Sequence, residues 1–204
     1  MDISRFSFDS NKRILVRDEV GLNKDAFVFC SACRFSPEKG LDIALEASNQ
    51  LVLTEKNTDL HWVIAGDGDL REWLEEEIQK RQLSEKIHLL GYVDDTQGLY
   101  SASNFFVLPS RREGLPLSML EAMACGCVPI ASSVDGIPEI YAGSQLQDNW
   151  MIRQLSSENV LSIFKRAAAL SETEHAELSR VCQIHVREHF DIEQMNNKYL
   201  QLCE

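Results

Sequence analysis

The chain has 204 residues, 44% of them hydrophobic, and a formal net charge of -12 at pH 7. That size is enough for one hydrophobic core, and the acidic charge argues against nucleic acid or an anionic membrane as a partner, because both bind basic surfaces. Residues 1–13 lack the apolar core of a signal peptide, and no later run reaches the ~18 apolar residues of a membrane span. We therefore expect a cytoplasmic protein with no membrane contact through this domain.

Short apolar runs alternate with longer amphipathic segments from residue 26 to residue 136, which is typical of a parallel sheet covered by helices. The runs predict five strands and a weaker sixth, at residues 26–32, 60–66, 86–91, 104–110, 127–132 and 149–153. Apolar residues at helical spacing predict two crossover helices, one with Leu41, Ala44, Leu45 and Ser48, and one with Leu70, Trp73, Leu74 and Ile78. From Ser156 the pattern is helical, with Val160, Ile163, Phe164 and Ala167 in one stretch and a last helix ending near Cys203. We predict an α/β fold with a Rossmann-like, doubly wound parallel sheet and a helical C-terminal tail.

The six cysteines include a C-x-x-C pair, Cys30 and Cys33, and a C-x-C pair, Cys125 and Cys127. Either pair could in principle hold a metal or form a disulfide. Both lie in strongly apolar contexts, however, and the five histidines lack metal-ligand spacing. We predict that these cysteines are small core residues and that the chain has no metal site.

Glu121 is the only charged residue between Glu113 and Asp135. A carboxylate in such apolar surroundings needs hydrogen-bond donors, because burial without them costs several kcal/mol. The vicinal diol of a ligand is one suitable pair of donors. The alternative is a glutamate on an exposed strip of its helix, or one that caps a neighbouring loop.

Pro116 suits the first turn of a helix, and Gly114 lets backbone approach a ligand closely. Amides at that helix N-terminus would form an anion site suited to a phosphate. Glu113 precedes the helix and Glu121 lies within it. Two carboxylates around an anion site are better explained by hydroxyl groups flanking a phosphate than by acid–base catalysis.

Arg34 and Lys39 bracket the loop after the first predicted strand, where they could hold a diphosphate. The alternative is ordinary surface solvation. The loop after the second strand contains Gly66 and Gly68, but position 71 is Arg, so the dinucleotide-binding fingerprint fails. Its glycines would then allow a tight turn.

Four segments together carry a family resemblance: RFSPEKG from Arg34, VIAGDGD from Val63, IHLLGYV from Ile87 and EGLPLSMLE from Glu113. In this order they resemble the R-x-x-x-x-K-G, G-x-G, G-x-V and E-x7-E segments of retaining glycosyltransferases with the GT-B fold, the group 1 family. The resemblance implies a C-terminal, donor-binding half. It makes residues 1–25 a remnant of the interdomain linker and residues 26–204 a nucleotide-sugar-binding domain.

The resemblance also implies roles for individual residues. Arg34 and Lys39 would hold the donor diphosphate and offset the charge of the leaving group. Glu113 would bind hydroxyls of the transferred sugar, and Glu121 those of the ribose. Further substrate contacts would come from the donor loops, namely from the amides of Gly114 and Leu115, from Tyr92 or Val93 at the base, and from Gly66 and Gly68.

The implied reaction moves a hexose-type sugar from a nucleoside diphosphate sugar to a hydroxyl acceptor, with retention by front-face attack and without a cofactor or metal. The acceptor-binding N-terminal domain, in cis or in trans, is an implied partner. One departure is Asp135, where relatives often have glycine, since an extra carboxylate near the phosphates could weaken binding. Two alternatives stay open, a binding module without turnover and an unrelated doubly wound domain.

Overall fold

Six parallel strands form one sheet in the order β3-β2-β1-β4-β5-β6. In the computed structural model, which describes residues 5–55 and 59–192, every predicted strand is present within one or two residues at each end. The bounds are β1 Phe27–Ala32, β2 Leu60–Ala65, β3 Ile87–Gly91, β4 Phe105–Leu108, β5 Val128–Ser132 and β6 Met151–Ile152. The prediction of a doubly wound α/β fold is confirmed.

Helices flank this sheet in two packed groups. One group joins α2 to α8, and the other runs from α1 through α4 and α5 to α9. The bounds of the α-helices in the described residues are α1 Ser10–Val20, α2 Leu41–Thr54, α3 Arg71–Lys80, α4 Thr96–Ala102, α5 Leu117–Ala124, α6 Ile137–Tyr141, α7 Gln147–Trp150, α8 Ser157–Ala168 and α9 Glu172–His189. No helix in the described residues is long and apolar enough to cross a membrane.

The apolar stripes predicted for the helices mostly form the core. All four stripe residues of α2, from Leu41 to Ser48, are buried, as are those of α8. In α3, Leu74 and Ile78 are buried, but Trp73 remains 36% exposed. The helical period alone could not exclude Trp73 from the core, because it lies next to Leu74 at the edge of the stripe.

The cysteines within the described residues are free, and Cys30, Cys125, Cys127 and Cys182 are buried in the core. The prediction of small core residues is therefore confirmed for these four cysteines, whereas Cys33, directly after β1, is only partly buried. No group of three or more His, Cys, Asp or Glu in the described part of the chain could hold a metal ion.

Helix α1 lies in the segment that the sequence interpretation assigned to a linker. Asp9 caps it by accepting hydrogen bonds from two backbone amides, and Gly21 ends it in a left-handed conformation. Its Arg17 is buried and donates to four backbone carbonyls, including Ala102 of α4 at 2.9 Å. The linker assignment stays a prediction, but residues 9–22 pack onto this domain. The predicted helix end near Cys203 lies outside the described residues.

Strand β1 lies between β2 and β4, so the chain reverses its direction of travel across the sheet between these neighbours. Open parallel sheets bind ligands at such a switch point, in the crevice at the carboxyl ends of the strands. The loops at this point are residues 33–40 after β1 and residues 109–116 after β4. These loops hold Arg34, Lys39 and Glu113.

Candidate active site

A cavity of about 500 Å³ lies at the carboxyl ends of β1, β2 and β3. It brings together residues from five separate loops and helices. Among the predicted site residues it collects Arg34, Gly66, Tyr92, Val93 and Glu121. Its other lining residues are Ala32, Cys33, Ala65, Asp67, Asp94, Thr96, Tyr100 and Ser118.

Glu121 is the fifth residue of α5 and faces this cavity half-buried. The buried hydroxyl of Tyr100, on α4, donates to its Oε2 at 3.3 Å. Burial raises the pKa of the Glu121 carboxyl, and the bond from Tyr100 partly opposes this shift. The position excludes a glutamate on a fully exposed strip, and it presents a carboxylate acceptor to whatever fills the cavity.

Lys39 and Glu113 form an ion pair beside the cavity. Lys39 ends a 3₁₀ turn after β1, and its Nζ lies 2.7 Å from Oε1 of Glu113. The hydroxyl of Ser110 donates to the same Oε1 at 2.6 Å, and Ser132 on β5 donates to the carbonyl of Ser110. The Glu113 side chain is only 7% exposed, so this pair is held in place by groups from three strand ends.

Arg34, in contrast, is exposed and loosely held. Its side chain is 69% exposed, and its contact with Asp69 is a long 3.4 Å. Such an ion pair contributes little to stability. The guanidinium is therefore free to turn toward a ligand in the cavity.

The two glycines of the loop after β2 are required by the backbone. Gly66 and Gly68 have φ of 134° and 153°, where side chains are rarely tolerated. A Cβ on Gly66 would lie 1.9 Å from the carbonyl oxygen of Cys33, and one on Gly68 would lie 2.5 Å from that of Phe35. The loops after β1 and β2 therefore pack backbone against backbone. Gly66 lines the cavity, and the described lining does not include Gly68.

Gly114 and Leu115, which precede α5, are not among the residues that line the described cavity. No described atom lies within 4 Å of a Cβ built on Gly114, and Leu115 is 48% exposed. Tyr92, which follows β3, is 81% exposed and lines the cavity together with Val93. Tyr92 and Val93 thus lie at the carboxyl end of β3, where the sequence predicted them.

Three contacts of the site were missed by sequence reasoning. Tyr100 holds Glu121, Ser110 holds Glu113, and Asp135 accepts a hydrogen bond from the backbone amide of Glu113 at 2.7 Å. Ser110 ends a predicted strand, which was a usable signal. Tyr100 lies within a helix and gave none.

Cys33 also lines the cavity, but it is a poor candidate for a nucleophile. Burial raises the pKa of its thiol to about 12, which the nearby ammonium of Lys39 only partly offsets. The thiolate is the reactive form of cysteine. This side chain therefore stays protonated and acts as a wall of the site.

The chain belongs to the glycosyl transferases group 1 family, whose model matches residues 12–169. It is 34% identical over 137 residues to the Escherichia coli UDP-Gal:alpha-D-GlcNAc-diphosphoundecaprenol alpha-1,3-galactosyltransferase, and this match covers 67% of this chain and 35% of that protein. It is 31% identical over 131 residues to the alpha-D-kanosaminyltransferase of Streptomyces kanamyceticus, and this match covers 63% of this chain and 33% of that protein. The chain thus spans about a third of the length of these relatives.

Solved structures show the same fold. Anabaena Alr3699/HepE in complex with UDP matches with a TM-score of 0.84 at 21% identity, over 100% of this chain and 55% of that one. The C-terminal domain of the group 1 glycosyl transferase LpcC from Francisella tularensis matches with a TM-score of 0.78 at 21% identity, over 94% of this chain and 99% of that one. The architecture is therefore that of the C-terminal half of a GT-B glycosyltransferase.

Proposed function

We propose that this chain is the donor-binding half of a retaining glycosyltransferase, which transfers a hexose-type sugar from a nucleoside diphosphate sugar to a hydroxyl acceptor. The observation that carries the proposal is the cavity at the carboxyl ends of β1, β2 and β3, next to the switch point of the sheet. It joins Arg34 and Glu121 to Tyr92 and Val93, and the Lys39–Glu113 pair lies beside it. HepE was solved in complex with UDP and with UDP-glucose, which supports a nucleoside diphosphate as the ligand class.

The donor would extend from the cavity toward the ion pair. Tyr92 and Val93 bound the end assigned to the base, and the carboxylate of Glu121 would accept the ribose hydroxyls. Arg34 would grip the diphosphate bidentately, since its side chain is exposed and its contact with Asp69 is long, at 3.4 Å. Lys39 would then lie between the diphosphate and the sugar.

Glu113 is assigned to the transferred sugar. Its contacts with Lys39 and Ser110 both use Oε1, so Oε2 is the oxygen we assign to sugar hydroxyls. In the free protein, the ion pair with Glu113 balances the positive charge of Lys39. Binding of the diphosphate would draw Lys39 toward the phosphates and leave Glu113 to take its donors from the sugar.

The proposed transfer needs no protein nucleophile. The acceptor oxygen forms a bond to the anomeric carbon on the face from which the phosphate leaves, while the bond from that carbon to the phosphate oxygen breaks. The acceptor proton passes to the departing phosphate oxygen. Arg34 and Lys39 offset the charge that develops on this oxygen, which is the largest catalytic effect such a site can supply.

Turnover also needs an acceptor-binding wall, which we propose comes from an N-terminal domain in cis or in trans. The chain covers 35% of the galactosyltransferase that it resembles. Transfer requires donor and acceptor in near-attack geometry with water excluded. A cavity open at the strand ends of one domain holds the donor alone.

Titration calorimetry with UDP tests the donor site. Arg34→Ala and Glu121→Ala should each weaken UDP binding by about 1 to 3 kcal/mol, the usual effect of losing a charged hydrogen bond. Arg153→Ala is the matched control, because Arg153 is also an exposed arginine paired with an aspartate, Asp148, but does not line the cavity. Equal UDP affinity in the wild type and both site variants would contradict the assignment.

A further inference from the structure

Asp135 adopts a backbone conformation that non-glycine residues rarely take. It lies in the loop after β5 with φ of 45°. This left-handed conformation costs on the order of 1 kcal/mol and persists where the surroundings impose it. The next residue, Gly136, shows how tightly they do so, because a Cβ there would lie 2.5 Å from the carbonyl oxygen of Gly114.

The Asp135 side chain compensates for this strain by holding the loop after β4. Its Oδ2 accepts the backbone amide hydrogen of Glu113 at 2.7 Å. Glu113 is thus fixed at both ends, by Asp135 at its backbone and by Lys39 and Ser110 at its carboxylate. Asp135 thereby fixes the backbone position from which the Glu113 side chain extends.

The same contact places a second negative charge at the sugar end of the site. Lys39 pairs with Glu113, whereas no salt bridge of Asp135 is found among the described residues. Asp135 is exposed to solvent. A ligand carboxylate near Glu113 would therefore meet a negative charge from Asp135 that is not held in a described salt bridge.

We infer that Asp135 is a positioning and specificity-determining residue for the transferred sugar. It holds Glu113 toward the sugar through the amide hydrogen bond, and its charge selects neutral hexoses over sugars that carry a carboxylate. The inference rests on the proposed function, since it assumes that Glu113 binds the sugar. It deepens that function by naming the class of sugar. Asp135, where relatives often have glycine, would then act on the sugar and would not simply weaken phosphate binding.

Two variants separate the hydrogen bond from the charge. Asp135→Asn removes the charge but keeps a side-chain acceptor and tolerates the left-handed conformation, whereas Asp135→Gly relieves the strain and removes the acceptor. Asp148→Asn is the control for net charge, because Asp148 is exposed and paired with Arg153 away from the cavity. The full 204-residue chain is titrated with UDP, UDP-glucose and UDP-glucuronic acid at low ionic strength.

For Asp135→Gly we expect the ratio of UDP-glucose affinity to UDP affinity to fall about fivefold, as for loss of one hydrogen bond. For Asp135→Asn we expect this ratio to hold, while the preference for UDP-glucose over UDP-glucuronic acid falls about three- to tenfold, as for loss of one like charge near a carboxylate. A general structural role would instead lower the affinity for all three ligands equally. Asp148→Asn should change neither ratio.

Amide hydrogen exchange of the ligand-free protein tests the positioning without any nucleotide. Asp135→Gly should speed exchange of the Glu113 amide about fivefold or more, because that amide loses its acceptor, while core amides keep their rates. Unchanged exchange at Glu113 would overturn the positioning role. Unchanged sugar ratios in both variants would overturn the specificity role, even if UDP binds as proposed. Failure of the wild type to bind UDP would overturn the proposed function and the sugar role together, and would leave the exchange rates to decide the positioning role.

Discussion

The carboxyl group of Glu121 lies half-buried at the cavity, with the Tyr100 hydroxyl 3.3 Å from its Oε2. Burial raises its pKa above the ordinary value, so the folded state disfavours the charged form that a ribose would need. Under the proposed function, the hydroxyls of a bound ribose would supply the hydrogen bonds that the protein does not. Strained or destabilised groups at binding sites are a recurrent stability cost of function.

Glu121→Gln should therefore stabilise the fold in a pH-dependent way. Because the folded pKa is raised, the folded state binds more protons than the unfolded state between the ordinary and the raised pKa, and wild-type stability falls as pH rises through that window. Glutamine does not titrate, so the variant should gain stability over the wild type at pH 7 but less at pH 4. Urea unfolding at both pH values measures this, and a difference independent of pH would contradict it.

Substitution by alanine should affect the stability of the fold strongly at Gly66 and hardly at all at Gly114. Gly66→Ala places a Cβ 1.9 Å from the Cys33 carbonyl oxygen at a φ of 134°, and should destabilise by about 2 to 4 kcal/mol. Gly114→Ala meets no described atom within 4 Å, and should leave stability nearly unchanged while weakening donor binding. Thermal unfolding and UDP-glucose titration of both variants decide this. Equal destabilisation by the two would count against the structure of the loops.

At the scale of elements, the docking of α1 on α4 connects the N-terminal segment to the proposed donor site. Lys12 of α1 pairs with Asp95 at 2.6 Å, directly after the loop that carries Tyr92 and Val93. Gly98 of α4 lets the two helices approach, since a Cβ there would lie 3.0 Å from Val16. The helix thus packs against the element that follows the loop proposed to bind the base.

Arg17→Met should destabilise the fold by about 2 to 4 kcal/mol. Arg17 is 4% exposed and donates to the carbonyls of Ala102, Asn23, Lys24 and Ala26, which lose their donor in the variant. Burial lowers the pKa of Arg17 to about 10, which still leaves it charged at neutral pH.

Arg13→Met is the control on the same helix, because Arg13 is partly exposed and its described hydrogen bond goes to Ser101 alone. It should cost less than Arg17→Met. Chemical denaturation of both variants measures the difference, and an Arg17 variant as stable as the Arg13 variant would show that the four-carbonyl contact contributes little.

For the whole molecule, the half-enzyme proposal predicts donor binding without transfer. The 204-residue chain alone should bind UDP but show no acceptor-dependent release of labelled UDP from UDP-glucose, because one domain cannot hold the acceptor or exclude water. Addition of a matching N-terminal half, fused upstream of Met1 or supplied in trans, should restore release. Robust turnover by the chain alone would refute this reading.

In the reconstituted enzyme, Glu113→Ala should lower turnover more than it lowers UDP affinity, because Glu113 is assigned to the sugar. Arg34→Ala should lower both. Binding of UDP without turnover in any reconstitution would favour the alternative of a nucleotide-sugar-binding module.

The sequence by itself determined the strands, most of the helices and the edge of the sheet at which the candidate site residues gather. Buried parallel strands are short apolar runs in the sequence, and amphipathic helices repeat their apolar residues about every 3.6 positions. The carboxyl ends of parallel strands all lie at the same edge of the sheet. The tertiary structure decided the strand order, the docking of α1 and the partners inside the site. The bonds from Lys39 to Glu113 and from Arg17 to Ala102 join residues 74 and 85 positions apart. No local period encodes such contacts, because they depend on how the completed elements pack.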